Sequence, residues 1–598
     1  MRNPLVRAAF AAIAVATVAA FFVAQQLKSE FPLVLRFAAR PAAISPNHDG
    51  YQDRTRVGFD LTERARISFS ILDSEGREVR RVLNSRVLAG DRKYRFSWDA
   101  RDSSGRIVPD GIYRMRVVRR DQGRVIDSIK KIRVDTRPPA VRLFSARPGV
   151  IAPAVADRRP RVVIRYAGPR NFAPEFRVFR TDDGPPRVVL RFRGDSHRRA
   201  VWDGYVRGHP AVDGDYAFTA RVRDRAGNTT VAPSDVPTDA TAAPGTGVAV
   251  RSLTLRGPLG VVRAGSVVRL RVGPFARRFA FALSRLRAGR RLRAGSRVGG
   301  AFRLRVPRRA RTGLYAVRVR AGGRRAAWPL AVTGPPARRA AARRRPLVVL
   351  PLLSWQGLTP VDDDLDGFAD TLDRSRAVRL DRPFARGRLP PRLRSEAAPL
   401  TSFLDRERLS YDLTTDLALA RGDGPKLGAA PGVALAGSER WAPPALGRLL
   451  EGYVRDGGRL ASFGADSLRR MARLGPGRLS APSRPSAEDA FGERAALLRA
   501  PEAPLAIERD RIGLFRGVDP LFGSFSIFEL SERLPPGARR LAAAGRDPGR
   551  PALVAYRLGR GTVVRLGSPQ WSRELEKSRR DVGVARVTKR LWRLLGSG

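Results

Sequence analysis

The sequence predicts a multidomain chain: an N-terminal transmembrane helix, three all-β sandwiches and a C-terminal α/β domain. Three observations carry this reading. An uncharged apolar run opens the chain. A repeat built on Trp-Asp and Asp-Gly fills its first half. After Pro346, alternating strands give way to continuous apolar runs separated by helical spacing. At about 150 residues per domain, 598 residues accommodate about four domains. A hydrophobic content of 43% is enough for several cores.

The opening run, residues 8–24, follows Arg2 and Arg7 and precedes Gln25 and Gln26. Basic residues before the run orient the N-terminus inward and the remainder outward. Phe21, Phe22 and Val23 spoil the small-residue frame that a cleavage site at Ala24 needs. Residues 1–28 therefore read as an uncleaved signal anchor in preference to a cleaved signal peptide. The expected location is the cell membrane, single-pass, with the bulk of the chain extracytoplasmic.

The net charge of +58 invites a nucleic-acid reading. Against it, only 7 of the 114 basic residues are Lys, and the Arg residues are spread over every segment. Solvated Arg on exposed strand faces is the expectation, with no sequence-specific nucleic-acid partner. An anionic envelope polymer is the alternative partner. The absence of Cys excludes disulfides, thiolate metal sites and a Cys nucleophile.

The repeat aligns residues 98–124 with residues 202–228. Trp98-Asp99 and Trp202-Asp203 open the two copies, and Asp110-Gly111 and Asp213-Gly214 are expected to make tight turns. Tyr113 and Tyr216 begin alternating strands. The motifs Ser45-Pro46-Asn47-His48-Asp49-Gly50, Trp98-Asp99 and Asp110-Gly111-Ile112-Tyr113 resemble the Ig-like domain of the flagellar hook-capping protein type. The resemblance implies Ig-like sandwiches over 36–136 and 137–235 acting as spacers. A third all-β stretch, 248–333, lacks the Trp-Asp hairpin and is expected to be a different sandwich. A basic linker, 334–346, follows.

Beyond the linker, residues 347–352 and 433–435 are continuous apolar runs, and 460–463 and 563–566 are apolar but for Ser462 and Arg565, as in strands buried on both faces. Ala445, Leu446, Leu449, Leu450 and Tyr453 fall at helical spacing. Strand–helix alternation predicts a doubly wound parallel sheet over 347–598, with any ligand beyond the carboxyl ends of the strands. Trp355, Gln356, Glu439, Trp441 and Trp571 fall there and are expected to line a crevice. Asp416, Glu439 and Asp466 are the candidate catalytic carboxylates.

Trp355-Gln356, residues 411–417, 437–441, 456–464 and 559–571 resemble, in order, the C-terminal domain of the N,N-dimethylformamidase large (beta) subunit. That resemblance implies a flavodoxin-like, class I glutamine-amidotransferase-like fold and, in the amidase, an iron held by tyrosines and a Glu. Glu439 matches the Glu. Leu358 stands where a Tyr is expected, so iron is not expected here. Thiol–imidazole chemistry is excluded, since His48, His197 and His209 all precede this domain.

Residues 362–373 place Asp362, Asp364, Asp366, Asp370 and Asp373 at positions 1, 3, 5, 9 and 12 of a calcium loop, with Gly367 at position 6. The expected ligands are Asp362, Asp364, Asp366, the Phe368 carbonyl and Asp373, with Asp370 acting through water. The sequence thus reads as a membrane-anchored protein presenting a calcium-stabilised, non-catalytic domain that binds a carbohydrate, peptide or anionic envelope ligand. An amide hydrolase and a structural wall stalk are the alternatives.

Overall fold

The computed structural model describes residues 4–28, 33–156, 158–169, 172–195, 197–274, 278–287, 289, 291–335, 345–545, 547, 549–576 and 582–597. Most of the expected linker, residues 336–344, lies outside the described residues. Helix α1 (Pro4–Lys28) is long and apolar enough to cross a membrane or serve as a signal anchor. Its stretch Val6–Val23 has a mean hydropathy of 2.2, and none of the described residues covers it.

Two packed sheets form the first sandwich. One holds Val34–Arg40, Thr55–Leu61 and Arg92–Trp98; the other holds Ala43–Ile44, Arg124–Val134, Gly111–Arg119, Ala65–Leu72 and Glu78–Leu88. Phe59, Phe69, Met115 and Ile132 fill the space between them. The second sandwich repeats this order, with its last strand split into Thr229–Ala232 and Val248–Val250. The sequence assigns Val248 to the third sandwich, but it pairs with Tyr216 of the second.

The third sandwich has the same strand order as the first, in sheets of three and five strands. The expectation of a different sandwich is therefore corrected. The Trp-Asp pair is dispensable; a shared Gly-x-Tyr corner is what recurs. Tyr113, Tyr216 and Tyr315 each donate their hydroxyl to the carbonyl four residues upstream, at 2.6, 2.7 and 2.8 Å. The residue before each Gly ties down the end of the last strand. Asp110 accepts from Thr136 N (2.8 Å), Asp213 from Ser252 N (3.1 Å) and Thr312 from Gly334 N (3.0 Å). Gly111 and Gly214 are not in the left-handed region, so Asp-Gly is a clamp and not the expected tight turn. In the first two copies the Trp N–H closes its own hairpin, on Arg101 O and Tyr205 O.

The C-terminal sheet has nine strands: β1 (Leu347–Leu350), β2 (Asp412–Thr415), β3 (Val433–Leu435), β4 (Arg459–Ser462), β5 (Arg494–Ile507), β6 (Leu521–Arg533), β7 (Arg539–Ala544), β8 (Pro551–Leu558) and β9 (Gly561–Arg565). Their spatial order is β2-β1-β3-β4-β9-β8-β7-β5-β6. The first five in that order are mutually parallel and the rest antiparallel. The wholly parallel sheet expected from the sequence is thus only half of it. Strands β5 and β6 consist mostly of half-buried and exposed positions with scattered buried ones, so they lack the continuous apolar runs that mark the parallel half.

Alternate residues of β1 show how the parallel half is covered. Val348 and Leu350 join a core with α3 (Ala398–Arg406) and α7 (Val582–Gly596). Leu347 and Val349 join another with α5 (Pro444–Arg455). The larger core runs on into the third sandwich, where Trp328 meets Phe384 at 5.0 Å between ring centroids. Arg285 of that sandwich also pairs with Asp405 of α3 at 2.6 Å.

Candidate functional site

The strand order reverses between β1 and β3, and the chain leaves both at the carboxyl edge of the sheet, where open α/β sheets place their ligands. From β1 it enters α2 (Leu352–Leu358), which carries Ser354, Trp355 and Gln356. From β2 it enters α4 (Asp416–Arg421), capped by Thr415. Past β3 lie Gly437, Ser438 and Glu439; past β4 lie Gly464, Ala465, Asp466 and Ser467.

Asp416 and Glu439 meet here, both 0% exposed. Asp416 accepts the backbone N–H of Leu353 (2.9 Å) and of Leu417 (2.6 Å). Among the described residues, no backbone or hydroxyl donor reaches either carboxylate oxygen of Glu439; it faces the Asp416 carboxyl. Burial raises Asp416 to about 7, its backbone donors notwithstanding. Burial, then the charge of Asp416, raises Glu439 well above the usual carboxylate range. Two carboxyls so placed share a proton, because two bare charges cannot coexist without solvent.

Neighbouring loops seal this pair. Glu396 accepts from Ser438 N at 2.7 Å, and a Cβ at Gly437 would lie 2.6 Å from its carboxylate. A Cβ at Gly464 would lie 2.1 Å from Gly437 C. Glycine at both positions lets the two loops touch. This close approach is the physical reason that both positions are glycine.

Asp466 sits in the left-handed region (φ 54°), and its carboxylate is gripped by Arg440 and Arg470. Ser467 accepts the backbone N–H of Glu439 (3.1 Å). These two residues are structural struts that hold the loop after β3. Behind them, Arg565 gathers Asp489, Glu493 and Glu529 in a fully buried network, and Glu529 accepts the backbone N–H of Asp466 (2.6 Å). This network was missed at the sequence level, because its members are scattered over 76 residues and follow no motif.

The crevice aromatics divide. Trp355 lines a cavity of about 500 Å³ together with Leu358. Trp441 is buried under the Arg440 guanidinium, 5.0 Å from its ring centroid. Trp571 is no rim residue: it is fully enclosed, stacked on Phe525, and its N–H donates to Thr588 of α7 at 3.0 Å. The mixed sheet bends β6 over it, which a purely parallel reading could not foresee. Gln356 is buried and donates to Arg382 O.

The acidic loop also departs from its expected pattern. Oxygens of Asp362, Asp364 and Asp370 converge within 4.8 Å of one another. Asp366 caps Phe368 N instead (2.7 Å). Asp373 lies outside the cluster, paired with Arg440 at 2.7 Å, because Leu372 has already turned inward to bond Gly357 O. The loop docks on the second sandwich: Gly245 N donates to Asp364 O (2.9 Å), Gly247 N to Leu365 O (2.7 Å) and the Thr181 hydroxyl to Gly367 O. Burial first, then Asp215 and Asp366, raises Asp362 to about 9.

Residues 299–504 match the family N,N-dimethylformamidase beta subunit-like, C-terminal. Residues 44–123 match the FlgD Ig-like domain. The dimethylformamidase-like segment begins in the third sandwich and ends in β5, so it contains Asp416, Glu439 and the acidic loop. None of the curated proteins matches the chain. Among solved structures, a beta-galactosidase from Bacillus circulans sp. alkalophilus is 13% identical over 42% of this chain and 32% of that one, with a TM-score of 0.26. Alpha-2-macroglobulin from Escherichia coli is 11% identical over 50% and 23%, with a TM-score of 0.18. The mannosidase Op5Man5 from Opitutaceae bacterium strain TAV5 is 13% identical over 42% and 36%, with a TM-score of 0.24. The chain thus spans 23% to 36% of the length of these proteins, and likenesses this slight carry no argument.

Tyr411 is bonded to Asp405 and turned towards Thr312 of the third sandwich, away from Glu439, which faces the Asp416 carboxyl.

Proposed function

We propose that this is a membrane-anchored extracytoplasmic protein in which Ig-type sandwiches present a non-catalytic, ligand-binding domain. The order β2-β1-β3-β4-β9 of the parallel half supports a flavodoxin-like, amidotransferase-like reading of that domain. The basic flank of α1 supports its orientation, with the sandwiches outside. The observation that carries the loss of catalysis is the sealed Asp416–Glu439 pair: the carboxyls best placed for acid–base work reach neither solvent nor the adjoining cavity.

Calcium at Asp362, Asp364 and Asp370 is part of this reading, as a fastener between the second sandwich and the C-terminal domain. Three converging carboxylates suit a hard cation with oxygen ligands. An amide hydrolase is the second reading; the proton-sharing pair favours it, since a carboxyl raised to about 7 is poised as a general acid. The test is turnover of formamide, simple amides and glutamine by the full chain in lipid nanodiscs, with iron or calcium added. No turnover is expected. Turnover abolished by Glu439→Gln would restore the hydrolase.

A further inference from the structure

The cavity beside Trp355 lies where the second sandwich, the third sandwich and the loop after α2 come together. Its floor is apolar: Leu253, Trp355, Leu358, Val361, Phe384 and Pro390. A second cavity of about 790 Å³ adjoins it, and the two share Arg386, Arg388 and Arg394 in their walls. The second cavity adds Arg318, Arg320, Arg324 and Arg325 from the third sandwich.

The charges on these walls are not balanced. Each carboxylate of the first cavity already has a partner. Asp182 pairs with Arg180 and Arg386, Asp213 holds Ser252, and Asp215 holds Arg251. The arginines differ. Among the described residues, Arg320, Arg324, Arg325, Arg388 and Arg394 take part in no ion pair. Arg318 donates to the Ser284 hydroxyl, with Arg320 crowding it. Like charges brought together in a concavity repel, and a bound anion relieves that repulsion. Guanidinium forks meet carboxylate and phosphate oxygens two at a time.

We infer that the adjoining cavities bind an amphiphilic anion, its apolar body against Trp355 and Leu358 and its phosphate or carboxylate head among the arginines of the second cavity. The volume of the apolar part suits a drug-sized body. This deepens the binding-domain reading and rests on it. A ligand so held would also bridge the two sandwiches and the C-terminal domain, since all three line the cavity.

The experiment is calorimetric titration of the full chain in zwitterionic nanodiscs, with empty nanodiscs subtracted. The probes are 2-naphthyl phosphate, 2-naphthoate, uncharged 2-naphthol and inorganic phosphate. Saturable binding of at least one naphthyl anion is expected, and the comparison of phosphate with carboxylate identifies the head. The neutral naphthol and phosphate alone should each bind at least about tenfold more weakly, because each lacks one half of the recognition. Arg388→Glu with Arg394→Glu should weaken the anion about tenfold or more. Arg293→Glu, on an exposed strand outside both cavities, should leave it unchanged. Leu358→Trp, which fills the floor and keeps the charges, should also weaken it, and circular dichroism checks that each variant folds. Equal binding of 2-naphthol, equal binding of phosphate, insensitivity to the paired Arg substitutions, or no binding at all would overturn the inference. Amide turnover in the parallel assay would instead overturn the non-catalytic reading.

Discussion

At the scale of single residues, the Asp416–Glu439 pair has a consequence for stability that does not depend on function. Both groups titrate above their ordinary values in the folded chain. The native state therefore keeps protons that the unfolded chain releases once pH passes the usual carboxylate range. The sign follows: the pair's contribution is most favourable in acid and is lost as pH rises from about 4 to about 7, at about 1.4 kcal/mol per pH unit per proton. Glu439 extends that window upward. Glu439→Gln removes one member and leaves Asp416 a neutral neighbour. The difference in thermal midpoint, variant minus wild type, should grow from pH 5 to pH 8 in favour of the variant. A difference that stays flat across that range would show that the pair is solvated.

At the scale of elements, the acidic loop and the tyrosine corners show two ways of closing a turn. The corners need one hydroxyl and one side-chain acceptor, both supplied from within a few residues or from the end of the last strand, so they work in every copy. The loop instead brings three carboxylates together and leans on another sandwich to hold them. Calcium should relieve their repulsion. Adding it to the full chain is expected to raise the thermal midpoint, chelator to reverse the rise, and Asp364→Asn to blunt it. Asp364 is exposed, so the substitution itself should change stability little. A midpoint indifferent to both calcium and chelator would leave the loop as a hydrogen-bonded strut. Asp373→Asn should not change the calcium response, because that carboxylate belongs to Arg440.

At the scale of the whole molecule, the modules are fastened in series. Asn228 of the second sandwich donates to Asp135 O of the first (2.7 Å), and Arg223 lies over the Tyr51 ring at 4.2 Å. The acidic loop joins the second sandwich to the C-terminal domain, and a continuous core joins that domain to the third. The mature protein is expected to retain residues 8–24 and to fractionate with membranes. Terminal sequencing of purified protein that begins beyond residue 24 would refute the anchor.

What the sequence determined by itself was whatever is written in neighbouring residues. The apolar run of α1, the Trp-Asp and Gly-x-Tyr signatures and the largely apolar runs of β1, β3, β4 and β9 are local patterns with local causes, and the structure has those elements where the patterns fall. Even the kinship of the third sandwich was legible in Gly313-Leu314-Tyr315, once Tyr rather than Trp is taken as the marker. The tertiary structure decided everything that depends on distant partners. It enclosed Trp571, turned Asp373 to Arg440, and set Asp416 and Glu439 face to face in a place that water does not reach. It also gathered arginines from three domains around one cavity. The physical reason is that burial and charge pairing are set by what packs opposite a residue. In this chain that partner lies on a different strand, loop or domain, often more than 60 residues away.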